Sequence, residues 1–163
     1  MGAGKTTIGR VLAKRLGMSF VDSDHEIEAR TGVRIPTIFE IEGEDGFRRR
    51  ESQVIADLAT MEGYVVATGG GVVLRPENRE NLKAGGFVAY LDVPPQALYE
   101  RTRHDRSRPL LQVADPLAKL RELHQERDPL YREVADLVID GSRVSAQSVL
   151  QILIKEVEAR CTH

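Results

Sequence analysis

Apolar positions recur along this chain with two periods. Between Thr6 and Leu16, Ile8, Val11, Leu12 and Leu16 follow helical spacing and Gly17 supplies a stop, so a helix begins directly at the Gly4-Lys5-Thr6 turn. Short runs rich in β-branched residues recur at Phe20–Val21, Tyr64–Thr68, Phe87–Leu91 and Leu137–Ile139. Each is too short for a helix, and helical patterns separate them. That alternation predicts βαβ units: an α/β fold with a parallel sheet flanked by helices in three layers. Phe47, Glu51, Val54, Ile55 and Leu58 mark one helical face, and Pro76 and Pro116 stand where proline opens a helix. Ala146, Val149, Leu150, Leu153 and Val157 form the stripe of a last helix. The segment 104–115 holds Arg106, Arg108 and Pro109 without a period and reads as a mobile lid. With 163 residues, no repeats and no Gly/Ser linker, residues 1–163 are expected to form one domain.

Composition narrows the partners. A net charge of -2 gives no long-range attraction to nucleic acid or to an anionic membrane. No apolar run has the length of a membrane span, and Met1–Lys5 lacks the apolar stretch of a leader, so a cytoplasmic protein is expected. The one cysteine, Cys161, cannot form a disulfide within the chain, and His25, His104, His124 and His163 show no metal-ligand spacing. Arginine far outnumbers lysine, which suits small anionic ligands, although GC-rich coding DNA produces the same bias.

The chemistry begins at residues 2–7, Gly-Ala-Gly-Lys-Thr-Thr. They match the second half of a phosphate loop, in which backbone N–H groups and a helix N-terminus converge on phosphates. Gly2, Ala3, Gly4, Lys5, Thr6 and Thr7 are therefore candidate ATP contacts. Lys5 is placed at the β and γ phosphates and the Thr6 hydroxyl on Mg²⁺. The loop's first glycine would precede Met1, as would the strand leading into it. A start assigned too late, or a chain cut there, would remove about ten residues. Asp22-Ser23-Asp24 follows the apolar pair Phe20–Val21, at the C-terminal edge of a parallel strand where ligands bind in open α/β sheets. One carboxylate can support Mg²⁺ while the other orients or deprotonates a hydroxyl. The competing reading is that Asp24 caps a helix starting at His25.

Taken in order, these motifs resemble the shikimate kinase family. GAGKTTIGR is followed by DSD, IFEIEGEDGFRRRE, the TGGG of Thr68–Gly71, Arg101–Thr102, the RPLL of Arg108–Leu111 and RDPLYREVAD from Arg127 to Asp136. The resemblance spans nearly the whole chain. It implies a fold like that of nucleoside monophosphate kinases, whose first and central strand is the one absent here, with a substrate region near 24–60 and the lid at 104–115. Loss of that strand would expose its neighbours' edges and favour instability. It further implies transfer of the γ-phosphate of ATP to the 3-hydroxyl of shikimate, with Asp24 on the ring hydroxyls and Asp22 serving Mg²⁺. Arg48 and Arg127 would hold the substrate carboxylate, Glu51 would orient Arg48, and Gly70 would let the backbone approach the substrate. Arg108 would reach the transferring phosphate, and Arg101 and Arg143 would flank the adenine. Shikimate and ATP are then the expected partners of a monomer. Two rivals stay open: a gluconate kinase-like enzyme, which would not need the Arg48/Arg127 pair, and a catalytically silent nucleotide-binding protein.

Overall fold

The computed structural model describes residues 4–161. Helix α1 (Lys5–Leu16) leads to strand β1 (Ser19–Asp22), α2 (Ser23–Thr31), α3 (Ile35–Leu58) and β2 (Tyr64–Ala67). A 3₁₀ turn (Gly70–Leu74), α4 (Pro76–Gly85), β3 (Ala89–Asp92) and α5 (Pro95–Thr102) follow. The chain ends with a second 3₁₀ turn (Pro109–Leu111), α6 (Pro116–Val134), β4 (Leu137–Asp140) and α7 (Ala146–Cys161).

Local signals set most boundaries. Gly17 closes α1 in the left-handed conformation at φ 68°. Pro76 and Pro116 open α4 and α6, where their missing N–H has no helical partner to lose. The third apolar run starts later than expected, at Ala89. Val88 is drawn out of the strand because its N–H donates to the Asp136 carboxylate and its carbonyl accepts from the N–H of Asp136 and of Leu137.

The four strands do not form a single sheet. β1 pairs in parallel with β2, Phe20 opposite Val65, and β3 pairs in parallel with β4, Leu91 opposite Ile139. Both β2 and β3 line an apolar cavity of about 570 Å³ together with Ile8, Leu12, Val73 and Leu153. Val65, Val66, Tyr90 and Leu91 accordingly stay partly exposed, where strands of a parallel sheet covered on both faces would be buried. The strand expected ahead of the phosphate loop lies outside the described residues.

Helices flank each half. Leu12 of α1 packs with Val149, Leu150 and Leu153 of α7 and Ile139 of β4. Ile27 of α2 and Ile38, Phe47, Val54 and Leu58 of α3 form a second core. Each of these apolar side chains is worth about 1.5–3 kcal/mol of burial. No helix among the described residues is long and apolar enough to cross a membrane.

Candidate active site

A second cavity, also about 570 Å³, opens at the C-terminal ends of β1 and β2 and is lined by polar side chains from distant parts of the chain. One end of it is built by Gly4, whose φ of 84° turns the backbone into α1 through a conformation costly for a residue with a Cβ. The first turn then presents Lys5, Thr6 and Thr7 to the cavity, with the positive end of the helix dipole behind them. Gly2 and Ala3 lie outside the described residues. Burial pulls the Lys5 ammonium below its ordinary pKa, and the Arg108 charge adds to this while Asp24 and Asp22 oppose it.

Thr6 Oγ1 donates to Asp22 Oδ2 at 2.8 Å. The other oxygen of Asp22 accepts from the N–H groups of Asp24 and His25, so Asp22 caps α2 and the helix starts at Ser23. The alternative of Asp24 as the cap is thereby excluded. Asp24 takes no part in the cap, and its buried Oδ1 has no hydrogen-bond partner among the described residues. Burial, then the neighbouring Asp22 charge, raises its pKa, partly offset by Lys5 and the arginines. Between the two aspartates, fully buried Ser23 accepts the Gly69 N–H at 3.1 Å and ties this turn to the glycine run. A Cβ at Gly69 would stand 2.7 Å from Asp24 Oδ1, so glycine is what admits the carboxylate there.

At the opposite end, α3 is broken at Gly43 by φ 72° and ψ -179°. The break lets Phe39 return onto Phe47, ring centroids 4.9 Å apart, and aims the following helix so that Arg48 faces the cavity. Arg48 Nη1 donates to Glu51 Oε1 at 2.9 Å, one turn on, as the motif implied. Glu51 is 1% exposed, and its burial raises its pKa against the opposing pull of Arg48. A Cβ at Gly71 would collide with the Arg48 guanidinium. Arg127 of α6 reaches the same end at 3% exposure, yet no described carboxylate forms an ion pair with it and its Nε has no partner.

The lid segment contributes Ser107, Arg108, Pro109 and Leu110 to the lining. Arg108 is held by Asp105, Nε to Oδ2 at 2.9 Å, and Leu111 anchors the segment against Leu120 and Leu123 of α6. Arg101 also lines the cavity. Arg143 does not: it stands exposed after β4, 3.8 Å from Asp140. Gly70 is in the lining, and its carbonyl accepts from the Tyr131 hydroxyl. Ser23 and Tyr131 fall inside the DSD and RDPLYREVAD motifs but had no role assigned from sequence, because each acts on a glycine far along the chain.

A phosphate-receiving helix start at one end of the cavity and two buried guanidiniums at the other, with a free carboxylate between them, is the charge order of an α/β kinase for a small anionic substrate. The family model described as shikimate kinase matches residues 1–158. Shikimate kinase of Dechloromonas aromatica is 65% identical over 156 residues, covering 96% of this chain and 85% of the relative. That of Thiobacillus denitrificans is 62% identical over 158 residues, covering 97% and 86%. The structure of shikimate kinase from Acinetobacter baumannii in complex with shikimate superposes with a TM-score of 0.94 at 50% identity, covering 98% of this chain and 89% of that one. The chain belongs to the shikimate kinase family, ATP-dependent phosphotransferases that act on a hydroxyl of shikimate.

Proposed function

We propose that the second cavity carries out this transfer, to the 3-hydroxyl, with the carboxylate and phosphate ends in the roles their charges suggest. One observation carries the reading. Of six buried side-chain atoms without a hydrogen-bond partner among the described residues, four belong to Asp24, Arg48, Glu51 and Arg127, which line this one cavity. Buried polar groups are ordinarily satisfied, so such a cluster is complementary to a ligand rich in hydroxyl and carboxylate oxygens. A gluconate kinase-like reading leaves the Arg48/Arg127 pair unexplained. A silent nucleotide-binding role leaves Asp24 unexplained.

In the mechanism, Arg48 and Arg127 bind the shikimate carboxylate through planar guanidinium donors and so fix the ring. Asp24 accepts a hydrogen bond from the attacking hydroxyl and takes its proton, for which a raised carboxyl pKa is the useful direction. Lys5 and Arg108 neutralise charge as the γ-phosphoryl passes in line between the oxygens. Arg108 is offered by the segment 104–115 once it leaves Asp105, and closure of that lid would exclude water. Arg101 on the cavity wall flanks the adenine, which Arg143 would approach from the exposed turn outside the lining, with Gly2 to Gly4 and Thr7 around the phosphates.

The neighbouring hydroxyl and carboxylate of Thr6 and Asp22 are hard oxygen donors and fit Mg²⁺, which they would hold as the metal neutralises phosphate charge. The lone exposed Cys161 fits a reducing cytoplasm, and a monomer is the proposed state. The test is ADP release with and without shikimate. Asp24→Asn is expected to lower kcat by at least about 100-fold at unchanged ATP KM. ADP release independent of shikimate, or an undiminished kcat in the variant, would reject the assignment.

A further inference from the structure

Tyr131 lies one helical turn beyond Arg127 on α6, and no part of the mechanism above uses it. Its hydroxyl donates to the Gly70 carbonyl, joining α6 to the glycine turn across 61 residues of sequence. Burial raises the pKa of the phenol, and the nearby Arg127 charge opposes this. Its ring stacks on Tyr90 with centroids 4.7 Å apart and packs beside Ile55, Val72, Val73 and Val134, so the hydroxyl has little freedom to turn elsewhere. Between Arg127 and Tyr131 stands Pro129, which has no N–H to give the Gln125 carbonyl. This turn of α6 therefore lacks one of its own backbone bonds, and the tether to Gly70 secures it from outside. The tethered turn continues into Gly71, whose bare Cα admits the Arg48 guanidinium.

One hydroxyl thus sits between the helix that carries Arg127 and the turn that receives Arg48. We infer that Tyr131 is a positioning residue for the substrate carboxylate: its hydroxyl holds the Gly70–Gly71 backbone and Arg127 in register so that the two guanidiniums converge on one anion. The inference rests on the carboxylate reading of Arg48 and Arg127.

The other member of the stack supplies the control. Tyr90 turns its hydroxyl away from the cavity to Asp128 at 2.9 Å, within a cluster of Asp92, His124 and Asp128 that Arg132 already bridges at 2.8 and 3.0 Å. Tyr131→Phe and Tyr90→Phe each remove one hydroxyl from the same ring pair, but only the first touches the glycine turn.

The experiment measures steady-state ADP release by wild type, Tyr131→Phe and Tyr90→Phe while titrating shikimate, shikimate methyl ester and ATP. Tyr131→Phe is expected to raise the shikimate KM about threefold to tenfold, the loss of one hydrogen bond from a binding arrangement. The ATP KM should not move. The ester, which carries no charge for the arginines, should show a smaller change than shikimate. Tyr90→Phe should leave all three constants alone. An unchanged shikimate KM in Tyr131→Phe, an equal rise in the ATP KM, or an equal effect of Tyr90→Phe would overturn the role of Tyr131 alone. Wild type that fails to saturate with shikimate would overturn the site assignment and this role with it.

Discussion

Arg127 is the most informative residue to perturb, because the structure fixes the sign of two independent effects. Arg127→Met keeps the length and apolar stem of the side chain and removes only the guanidinium. A charge-assisted hydrogen-bonded contact between guanidinium and carboxylate is worth about 1.5–3 kcal/mol. At 1.4 kcal/mol per tenfold, the shikimate dissociation constant should rise by about 10-fold to 150-fold while that of ATP is unchanged. Folding stability should hold or improve, since Arg127 is buried without an acidic partner and its removal strands no carboxylate.

Arg48→Met should affect shikimate similarly but behave differently as a protein. It leaves Glu51 buried at 1% exposure without its 2.9 Å partner, and breaking such a pair costs about 3–5 kcal/mol. Burial already holds the Glu51 carboxyl above its ordinary pKa, so the group can take up a proton and the cost stays near the lower figure. For a chain of this size about 3 kcal/mol lowers Tm by roughly 6–12 °C. Calorimetric titration with shikimate and with ATP, beside thermal melts of the free proteins, reads both quantities. A Tm loss in Arg127→Met as large as in Arg48→Met would refute the claim that Arg127 is an unpaired buried cation. An unchanged shikimate affinity would refute its substrate role.

Three further outcomes follow from other contacts. Gly69→Ala would push a methyl group onto Asp24 Oδ1, 2.7 Å from the ideal Cβ, and should lower kcat about 100-fold with the ATP KM intact; undiminished turnover would show that Asp24 is not held by that glycine. Asp128 is held below its ordinary pKa: desolvation would raise it, but hydrogen bonds from Arg132 and Tyr90 and the Arg132 charge prevail. A depressed carboxyl stabilises the fold above its unfolded pKa of about 3.9 and loses that contribution as pH falls through the folded value. The Tm difference between wild type and Arg132→Gln should therefore be present at neutral pH and shrink in acid, and a pH-independent difference would refute it. Finally, amides of β2 and β3 directed into the apolar cavity should exchange hydrogen faster than those directed at β1 and β4; equal protection would mean that these edges are paired.

What the sequence made legible was whatever rests on short spacing. Prolines 76 and 116, the face running from Phe47 to Leu58, and the Arg48–Glu51 turn are local patterns, and the structure has them where the spacing puts them. Locally ambiguous choices needed the fold. Asp22 and Asp24 stand equally well before a helix in sequence, and only the arrival of Thr6 from 16 residues away settles which one turns back to cap it. The shift of the third strand to Ala89 has the same origin, since the groups that divert Val88 belong to residues 136 and 137. The roles of Ser23 and Tyr131 were not legible, although both residues lie in quoted motifs, because their partners Gly69 and Gly70 lie 46 and 61 residues off and present only backbone.

The most exposed gap between pattern and structure is also the most instructive about the site. The sheet is split by an apolar cavity, yet the polar cavity keeps its arrangement because its parts hang on different supports. Lys5 and Thr6 ride on α1, whose Leu12 joins one cluster with α7, Ile139 of β4 and Val65 of β2. Asp22 and Asp24 are held by β1 and by the Ser23–Gly69 bond. Arg48 and Glu51 belong to the α2–α3 core, and Arg127 to α6, which is joined to the glycine turn through Tyr131. The one element common to the middle two supports is the turn after β2, where Gly69 meets Asp24 and Gly71 meets Arg48. Strain entering through the split sheet would therefore reach catalysis and substrate binding together at that turn. Turnover and shikimate binding should accordingly fall together when that turn is perturbed.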